Sequence, residues 1–309
     1  MPLPASTQWE IVEKTAALMN SAFEELIRQA AQGELVHNDD TTMKILSAGT
    51  AEASSSEACA EQQPGTARSQ RTGTFTSGIV SMREGRAIAL FFTGHKHAGE
   101  NLATVLAQRA AGLSPPIQMA DALSRNFVEP LKTIVANCVA HSRRKFVEVA
   151  PHFPEQCRFV LETLAQEYKN DALCKEQRLL AEERLRLHQT YSGPLMTTLA
   201  NWLAEQFARH LVEPNCGLGQ AITYMRKHWQ ALTLFLRQAG APLDNNVCER
   251  ALKKAIVQRK NALFYNTQNG AHVGDIFMSL IHTCALVGAN AFDYLTALQE
   301  HSRELAANA

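Results

Sequence analysis

The pattern of apolar residues changes near Phe153, and this change limits the folds open to the chain. Before that residue, short apolar runs alternate with turn signals, which is typical of strands. From about Phe153 to Gly240 the strand signals stop, and three stretches carry apolar residues at the helical period of 3.6: FVLETLAQEYKN, AEERLRLHQTYSGPLMTTLANWLAEQFARHL and LGQAITYMRKHWQALTLFLRQAG. The sequence therefore predicts a sheet-forming part followed by a helical block of roughly ninety residues.

The sheet-forming part opens with a helix. Residues 8–32 have apolar side chains at helical spacing and predict an amphipathic helix, and residues 33–46 predict a strand that carries acids midway. Residues 74–94 contain two apolar runs around REGR, which predicts a hairpin with Gly85 in its turn.

Two short strands are predicted after a helix over residues 95–112 that Gly112 ends. The first is PIQMA, with Asp121 at its carboxyl end, and the second lies in TIVANCVAHSRRKF, where a basic turn follows the apolar run. Strands interleaved with helices in this order indicate a mixed α/β sheet with flanking helices.

Helices are predicted again after the helical block. Asp244 begins a helix that runs through Lys254 or beyond, ALFY is a short break, and the tail from Gly274 contains two helices separated near Gly288. Residues 47–73 are rich in Ser, Ala, Gly, Gln and Thr and predict a mobile linker or hairpin tip. The sequence thus predicts five units. They are a helical lead-in at 1–32, a first core part at 33–152, a helical insertion at 153–240, a last core part at 241–273 and C-terminal helices at 274–309.

Composition excludes several classes of protein. Hydrophobic residues make up 46% of the 309 residues, which is enough for a sizeable core, and no window resembles a membrane span or a secretory leader. The seven cysteines form no CxxC pair, which argues against a disulfide framework and favours a reducing compartment, the cytoplasm. Thirty basic and thirty acidic side chains cancel, so any nucleic acid must be bound by local patches.

Three acidic positions are candidate metal ligands. Asp39 and Asp40 are neighbours in a strand and point to opposite faces, so only one of them can face a site, and an acidic strand end facing water is an equally good interpretation. Asp121 would lie at the carboxyl edge of the sheet, or would cap the next helix. Glu249 lies off the apolar face of its helix, which Cys248, Ala251, Leu252 and Ala255 form, and its spacing to Lys253 also suits an ordinary surface salt bridge.

Two groups of cations accompany these acids. The group after Asp121 consists of His141, Arg143, Arg144 and Lys145, and the group after Glu249 consists of Arg250, Lys253, Lys254, Arg259 and Lys260. Both groups are suited to binding the phosphates of a nucleic-acid backbone. Three distant carboxylates that converge on Mg²⁺ or Mn²⁺ ions are an arrangement for phosphoryl transfer.

Other kinds of site are weaker candidates. A zinc site would start from Cys138 and His141, or from His95 and His97, but each pair supplies only two ligands. No nucleophile elbow or phosphate-binding GxxxxGK loop is present.

Longer blocks of the sequence resemble those of one family. DNNVCERALKKAIVQRKNALF resembles the DNNxxERxLRPxxxxRKNxLF block of bacterial insertion-sequence-66 family transposases. VHNDDTT is similar to their HADET segment, NCVAHSRRKF to GCWAHARRKF, and GDIFMSLIHTCALVGANAFDYL to their closing helices. The motifs are long and keep their order along the chain, so chance is a poor explanation.

The resemblance implies a DDE transposase catalytic domain with a ribonuclease H-like fold that a helical insertion interrupts. It assigns Asp39, Asp121 and Glu249 as the three acids that hold two Mg²⁺ or Mn²⁺ ions for DNA strand cleavage and transfer. It implies transposon ends and target DNA as partners, a homo-oligomer on DNA, accessory proteins, no membrane partner, and a place in the bacterial cytoplasm at the nucleoid. The expected DNA-binding residues are His141, Arg143, Arg144, Lys145, Asn245, Asn246, Arg250, Lys253, Arg259 and Lys260, with Asn245 and Asn246 also suited to fixing the helix entry.

The chain departs from the family pattern in two ways. Asp40 stands where the HADET segment of the family has Glu. The choice of Asp39 as first ligand therefore rests on the alignment of His37 and Asp39 with the His and Asp of HADET. The chain starts just before the catalytic domain, which predicts a truncated copy or a separately encoded catalytic half. The alternative function is a non-catalytic remnant that still binds DNA.

Overall fold

A five-stranded mixed sheet forms the centre of the computed structural model, which describes residues 2–47, 73–127 and 131–307. The strand order is β3-β2-β1-β4-β5. The strands are β1 Leu35–Met43, β2 Thr74–Arg83, β3 Arg86–Gly94, β4 Ile117–Ala120 and β5 Ile134–Asn137. The predicted mixed α/β class is therefore confirmed, while the predicted linker at 47–73 lies almost wholly outside the described residues.

Strand direction divides the sheet into two halves. β1, β2 and β3 form an antiparallel meander, and β4 is parallel to both β1 and β5. The hairpin between β2 and β3 turns at Glu84 and Gly85, which both have positive φ, as a tight two-residue hairpin turn requires. Because β1 and β4 are parallel, their carboxyl ends meet at the same edge of the sheet.

The described residues also form twelve α-helices. Their bounds are α1 Ala5–Ala30, α2 Ala98–Leu106, α3 Val139–Val149, α4 Pro154–Glu176, α5 Ala181–Leu187, α6 Gly193–Ala208, α7 Gly217–Lys227, α8 Trp229–Leu232, α9 Asn246–Ala262, α10 Gln268–Val287, α11 Ala291–Glu300 and α12 Ser302–Ala307. A π-helical turn, His188–Ser192, joins α5 to α6. The segment predicted as a helical block is thus helical, as its 3.6 period indicated.

The helices bury the two halves of the sheet in different cores. Helices α3, α4, α6 and α7 pack with β4 and β5 around residues such as Met119, Phe146 and Leu199. Helices α1, α2 and α10 pack on the meander around Phe23, Ile79 and other residues. The helical block therefore shares its core with the parallel half of the sheet.

Three element bounds differ from the prediction. The helix expected to end at Gly112 ends at Leu106, because the chain turns there and Arg109 donates to the carbonyls of Ala31 and Gly33. The segment expected to be a basic turn after β5 is helix α3, whose buried face includes Phe146. The tail helices begin at Gln268 instead of Gly274 and include the additional short helix α12.

One described helix, α10, is long and apolar enough to cross a membrane by length and composition alone. In this structure α10 packs along β3, and its buried Asp275 accepts hydrogen bonds from the backbone N–H (2.6 Å) and the hydroxyl (2.7 Å) of Thr93. The helix ends at Val287, and Gly288 forms its left-handed C-cap, which confirms the predicted separation of two helices near Gly288.

Candidate functional site

Asp39 and Asp121 lie at the junction of β1 and β4. Asp39 is in the middle of β1, and Asp121 directly follows β4. His37 pairs with Met119 in the parallel register, and two further residues along each strand lead to Asp39 and Asp121. Residues level with each other in a parallel pair point to the same face, so the strand pairing brings these two carboxylates together.

The surroundings of both carboxylates favour their neutral form. Burial, and to a lesser extent the nearby charge of Asp121, raise the pKa of Asp39 to about 7 against the opposing charge of Arg125. Burial also raises the pKa of Asp121, while His141, the Leu123 backbone N–H, Arg125 and Asn126 oppose that shift. Two desolvated acids in electrostatic contact have a high affinity for a shared positive charge.

Asp40 points to the other side of β1. Its carboxylate accepts a hydrogen bond from His97 Nδ1 at 2.8 Å and lies 3.2 Å from the guanidinium of Arg125. These partners occupy the Asp40 carboxylate beside the start of α2, so Asp39 is the acid of the pair that faces Asp121. His97 therefore serves Asp40, whereas its neighbour His95 contacts the Gly73 carbonyl at 3.2 Å.

Helix α9 carries Glu249 in its first turn and packs closely on the sheet. Its predicted apolar face is confirmed, since Cys248, Ala251, Leu252 and Ala255 are all buried. The close approach depends on Gly78, the β2 residue opposite Asp39, because a Cβ at Gly78 would lie 3.0 Å from Leu252 and 3.5 Å from the Cys248 sulfur.

Glu249 faces helix α3. Its Oε1 lies 3.8 Å from His141 Nδ1, while Lys253, the partner that the spacing offered, is exposed. Burial raises the pKa of the Cys248 thiol, and the charges of both Asp39 and Glu249 raise it further, so both acids lie near Cys248. His141 acts electrostatically on Asp121 as well, and it therefore links Asp121 to Glu249.

Asn245 fixes the start of α9. It is fully buried, its amide nitrogen donates to the Asn38 carbonyl at 3.2 Å, and its Oδ1 accepts from His37 Nδ1 at 2.9 Å. Asn246 donates to Asp244 at 2.8 Å, and Asp244 also accepts the Asn246 backbone N–H at 3.1 Å. Both asparagines therefore hold the helix entry, and Asn245 in this structure is enclosed by protein.

The predicted DNA-binding cations divide into two groups. Arg143, Arg144, Arg250, Lys253 and Lys260 are exposed on α3 and α9. Lys145 lies over the Tyr224 ring at 4.5 Å, and Arg259 binds the end of β1 through the Thr41 and Thr42 hydroxyls, at 3.2 and 2.7 Å. His141 is half-buried beside Glu249.

Sequence reasoning missed several residues at this site. Arg125 neutralises Asp40, and Asn126 donates a short hydrogen bond to Asp121 and accepts one from Asn38 at 3.0 Å. Gly78 admits α9. The SRN triplet at 124–126 was the available signal for Arg125 and Asn126, but it carried no distinctive spacing.

Comparison of the sequence with known proteins identifies the family of this chain. The family model described as "Transposase IS66 family" matches residues 1–273. The chain belongs to this family. The resemblance of the sequence blocks to insertion-sequence-66 family transposases is thereby confirmed.

Three relatives come from Sinorhizobium fredii (strain NBRC 101917 / NGR234). The uncharacterized protein y4jD is 31% identical over 168 residues, which cover 54% of this IS66-family chain and 32% of the relative. The uncharacterized proteins y4hP and y4qI are 32% and 26% identical, over 49% and 52% of this chain and 29% and 30% of their own lengths. The chain thus spans about a third of the length of the curated relatives it matches.

Proposed function

We propose that this chain is the catalytic part of a DDE transposase that cleaves and joins DNA strands, with Asp39, Asp121 and Glu249 as its acids. The observation that carries the proposal is the coupling of Asp39 and Asp121, two desolvated carboxylates that lie level with each other where β4 ends beside the parallel strand β1. Functional groups at the carboxyl end of a strand such as β4 are the rule in α/β folds. In the proposal Glu249 is the third acid and approaches from α9, whose residues Cys248 and Leu252 pack on β2 at Gly78.

The side chains fit a hard divalent cation. Carboxylate oxygens are the donors that Mg²⁺ and Mn²⁺ prefer, and the raised pKa of Asp39 marks a carboxylate that a cation would stabilise. Asp39, Asp121 and Glu249 would hold two such ions, which supply activation of a water or 3′-hydroxyl and neutralisation of charge on the phosphate.

Neighbouring residues keep the three acids in position. Asn126 orients Asp121 through its side-chain amide, and Asn245 ties the entry of α9 to β1. Arg125 occupies Asp40, which leaves Asp39 as the acid available to a cation. Precise placement of this kind is worth several orders of magnitude in phosphoryl transfer.

The exposed cations of α3 and α9 suit the DNA backbone. Arg143, Arg144, Arg250, Lys253 and Lys260 project from the two helices that also carry His141 and Glu249. Such side chains bind phosphates without reading sequence. In this proposal Lys145, Asn246 and Arg259 stabilise the DNA-binding surface that α3 and α9 form. His141 and Asn245 lie beneath that surface, beside Glu249 and at the start of α9.

We also propose a ribonuclease H-like core with a helical insertion at 153–240. The antiparallel meander beside parallel strands, in the order β3-β2-β1-β4-β5, supports such a core. The insertion separates β5 and α3 from α9, so the last acid returns to the sheet only after the helical block. We expect the protein to act as an oligomer on paired ends, in the cytoplasm at the nucleoid, with or without accessory proteins.

The direct test is Glu249→Gln, which keeps the size of the side chain and removes its charge. We expect at least about a hundredfold loss of Mg²⁺- or Mn²⁺-dependent nicking of a supercoiled plasmid that carries the DNA flanking the gene on both sides. DNA binding, measured by fluorescence anisotropy, should change less than about twofold, because phosphate contacts dominate affinity. Glu205→Gln, an exposed acid on α6, is the matched control and should nick like the wild type.

The outcomes separate the two functions. Undiminished nicking by Glu249→Gln would refute the assignment of Glu249. If the wild type binds DNA and does not nick it with either metal ion, the alternative holds and the chain is a non-catalytic DNA-binding remnant.

A further inference from the structure

A second ligand set lies on the α3 side of Glu249. One ligand atom each from Cys138, His141 and Glu249 lie within 4.8 Å of one another. The sequence offered only the first two of these, in CVAH, and Glu249 supplies the third from the other end of the helical block. Sulfur, nitrogen and oxygen donors converge here, unlike the all-oxygen set of Asp39 and Asp121.

Two of these three residues carry a polar atom without a hydrogen-bond partner. Among the described residues, His141 Nδ1 and Glu249 Oε1 are both shielded from water and make no hydrogen bond. Their separation of 3.8 Å is too long for a hydrogen bond between them. A buried polar atom without a partner costs roughly 1–3 kcal/mol, so two such atoms facing each other need an explanation. A bound cation supplies one.

The sulfur is held in place by the backbone. Cys138 is the N-cap of α3, and its Sγ accepts the backbone N–H of Asn245 at 3.3 Å. The sulfur therefore has a fixed position toward which the other two ligands can move. Burial raises the pKa of the Cys138 thiol, against the opposing backbone N–H groups of Asn245, His141 and Ala140, so a metal that binds this sulfur must displace the thiol proton.

The donor set selects the metal. Thiolate with imidazole and one carboxylate suits Zn²⁺, whereas Mg²⁺, Ca²⁺ and Mn²⁺ prefer oxygen. Ligand atoms around a tetrahedral Zn²⁺ are roughly 3.5 Å apart, so these ligands must approach by about 1 Å. The His141 and Glu249 side chains are 22% and 30% exposed and have room to make that adjustment.

We propose that Cys138, His141 and Glu249 form a Zn²⁺ site with an open fourth position. Binding there does not depend on the proposed function. A consequence that does rest on it is competition: Zn²⁺ at this site withdraws Glu249 from Asp39 and Asp121, so micromolar Zn²⁺ should inhibit Mg²⁺-dependent nicking.

Cobalt substitution tests the site without DNA. Co²⁺ added to the wild-type protein should give sulfur-to-cobalt charge-transfer absorption that saturates at one equivalent and disappears on addition of Zn²⁺. Cys138→Ser should lose the charge-transfer band, and Glu249→Gln should weaken Co²⁺ binding by at least about tenfold. Circular dichroism of each variant verifies its fold.

Cys216→Ser is the matched control. Cys216 is also a helix N-cap whose sulfur accepts a backbone N–H, that of Gly219 at 3.3 Å, and it belongs to no such cluster among the described residues. This variant should bind Co²⁺ like the wild type. No band in the wild type, a band that persists in Cys138→Ser, or unchanged affinity in Glu249→Gln overturns the proposal. Because the readout is spectroscopic, a failure of nicking leaves the result unaffected.

Discussion

Adding one methyl group at Gly78 probes the packing that delivers Glu249 to the sheet. A Cβ at this position would lie 3.0 Å from both Cγ and Cδ2 of Leu252. Carbon atoms in good contact are about 3.5–4.0 Å apart, so Gly78→Ala creates an overlap of roughly 0.5–1 Å. Leu252 is only 3% exposed and cannot turn into solvent to relieve it. Helix α9 or the strand must therefore shift.

The size of the effect follows from opposing contributions. Overpacking a core typically costs about 1–3 kcal/mol, and replacing glycine returns about 0.4–1 kcal/mol by restricting the unfolded chain. We expect Gly78→Ala to lower the free energy of unfolding by roughly 1–2 kcal/mol. Leu252→Ala alone should cost about 2–5 kcal/mol, because it leaves a cavity.

The double variant makes the test specific. When Leu252 is truncated to Ala, the methyl group that Gly78→Ala adds no longer overlaps with the Leu252 side chain. It fills part of the cavity that the truncation leaves. The double variant should then be more stable than the sum of the single effects predicts, by about 1 kcal/mol or more. Urea unfolding followed by tryptophan fluorescence measures all three variants.

Gly112→Ala is the control, because a Cβ at Gly112 meets no atom within 4 Å and should cost nothing. If Gly78→Ala is as stable as Gly112→Ala, or if the two single effects simply add, the proposed close packing of α9 on β2 is wrong.

Further predictions concern pH, the helix entry and DNA. Burial raises the pKa of Asp275 to about 7, so the folded state retains a proton that the unfolded state has lost, and wild-type stability should fall as pH rises from about 4 to about 7. Asp275→Asn resembles the protonated form and should exceed the wild type by roughly 1–4 kcal/mol at pH 8.5, measured by urea unfolding. Asn245→Ala should cost roughly 2–4 kcal/mol, because it leaves two buried partners on β1 unpaired, whereas Asn246→Ala should cost less than about 1 kcal/mol. Lys253→Ala and Lys260→Ala should each lower the slope of log affinity for DNA against log salt by about 1, measured by anisotropy at several salt concentrations.

Each of these has a result that would contradict it. A stability difference between Asp275→Asn and wild type that does not grow with pH would remove Asp275 as the titrating group. Equal costs at Asn245 and Asn246 would show that the buried amide does not secure the helix entry. Lys14→Ala on α1 is the charge control for DNA binding, and a salt slope that falls as much in this variant would mean that the α9 lysines have no special part.

The elements carrying the three acids were predictable because their signals are local. A glycine start followed by β-branched and apolar residues predicted β1 around Asp39, and the apolar face of α9 placed Glu249 off the core. Periodicity also identified the helical character of the block from Phe153 to Gly240. Signals of this kind depend on neighbours within one or two turns, which a single sequence displays.

The partners of these acids were not predictable, because they come from distant parts of the chain. Glu249 has Lys253 one turn away, yet the structure sets it beside His141. Asp40 is neutralised by His97 and Arg125, and no spacing in the sequence joins them. Tertiary packing determines which charged groups contact each other. Local spacing in the sequence determines only which neighbouring groups are close enough to do so.

Helix α3 shows a different limit. Its cations suggested a turn, but Val139, Ser142 and Phe146 recur at helical spacing and are buried. The apolar face is short, and charged residues occupy the remaining positions, so composition obscured the period. The early end of α2 has a similar cause, since Arg109 binds carbonyls of the α1–β1 connection instead of continuing the helix.

The late arrival of α9 also matters while the protein is being synthesised. The strands β1 and β2 leave the ribosome early, but the surface around Gly78 that α9 covers stays open until the helical block and then α9 itself have been translated. A chain that terminates inside the block therefore exposes an apolar strip on its sheet and lacks Glu249. Premature termination would thus yield an aggregation-prone chain that depends on chaperones.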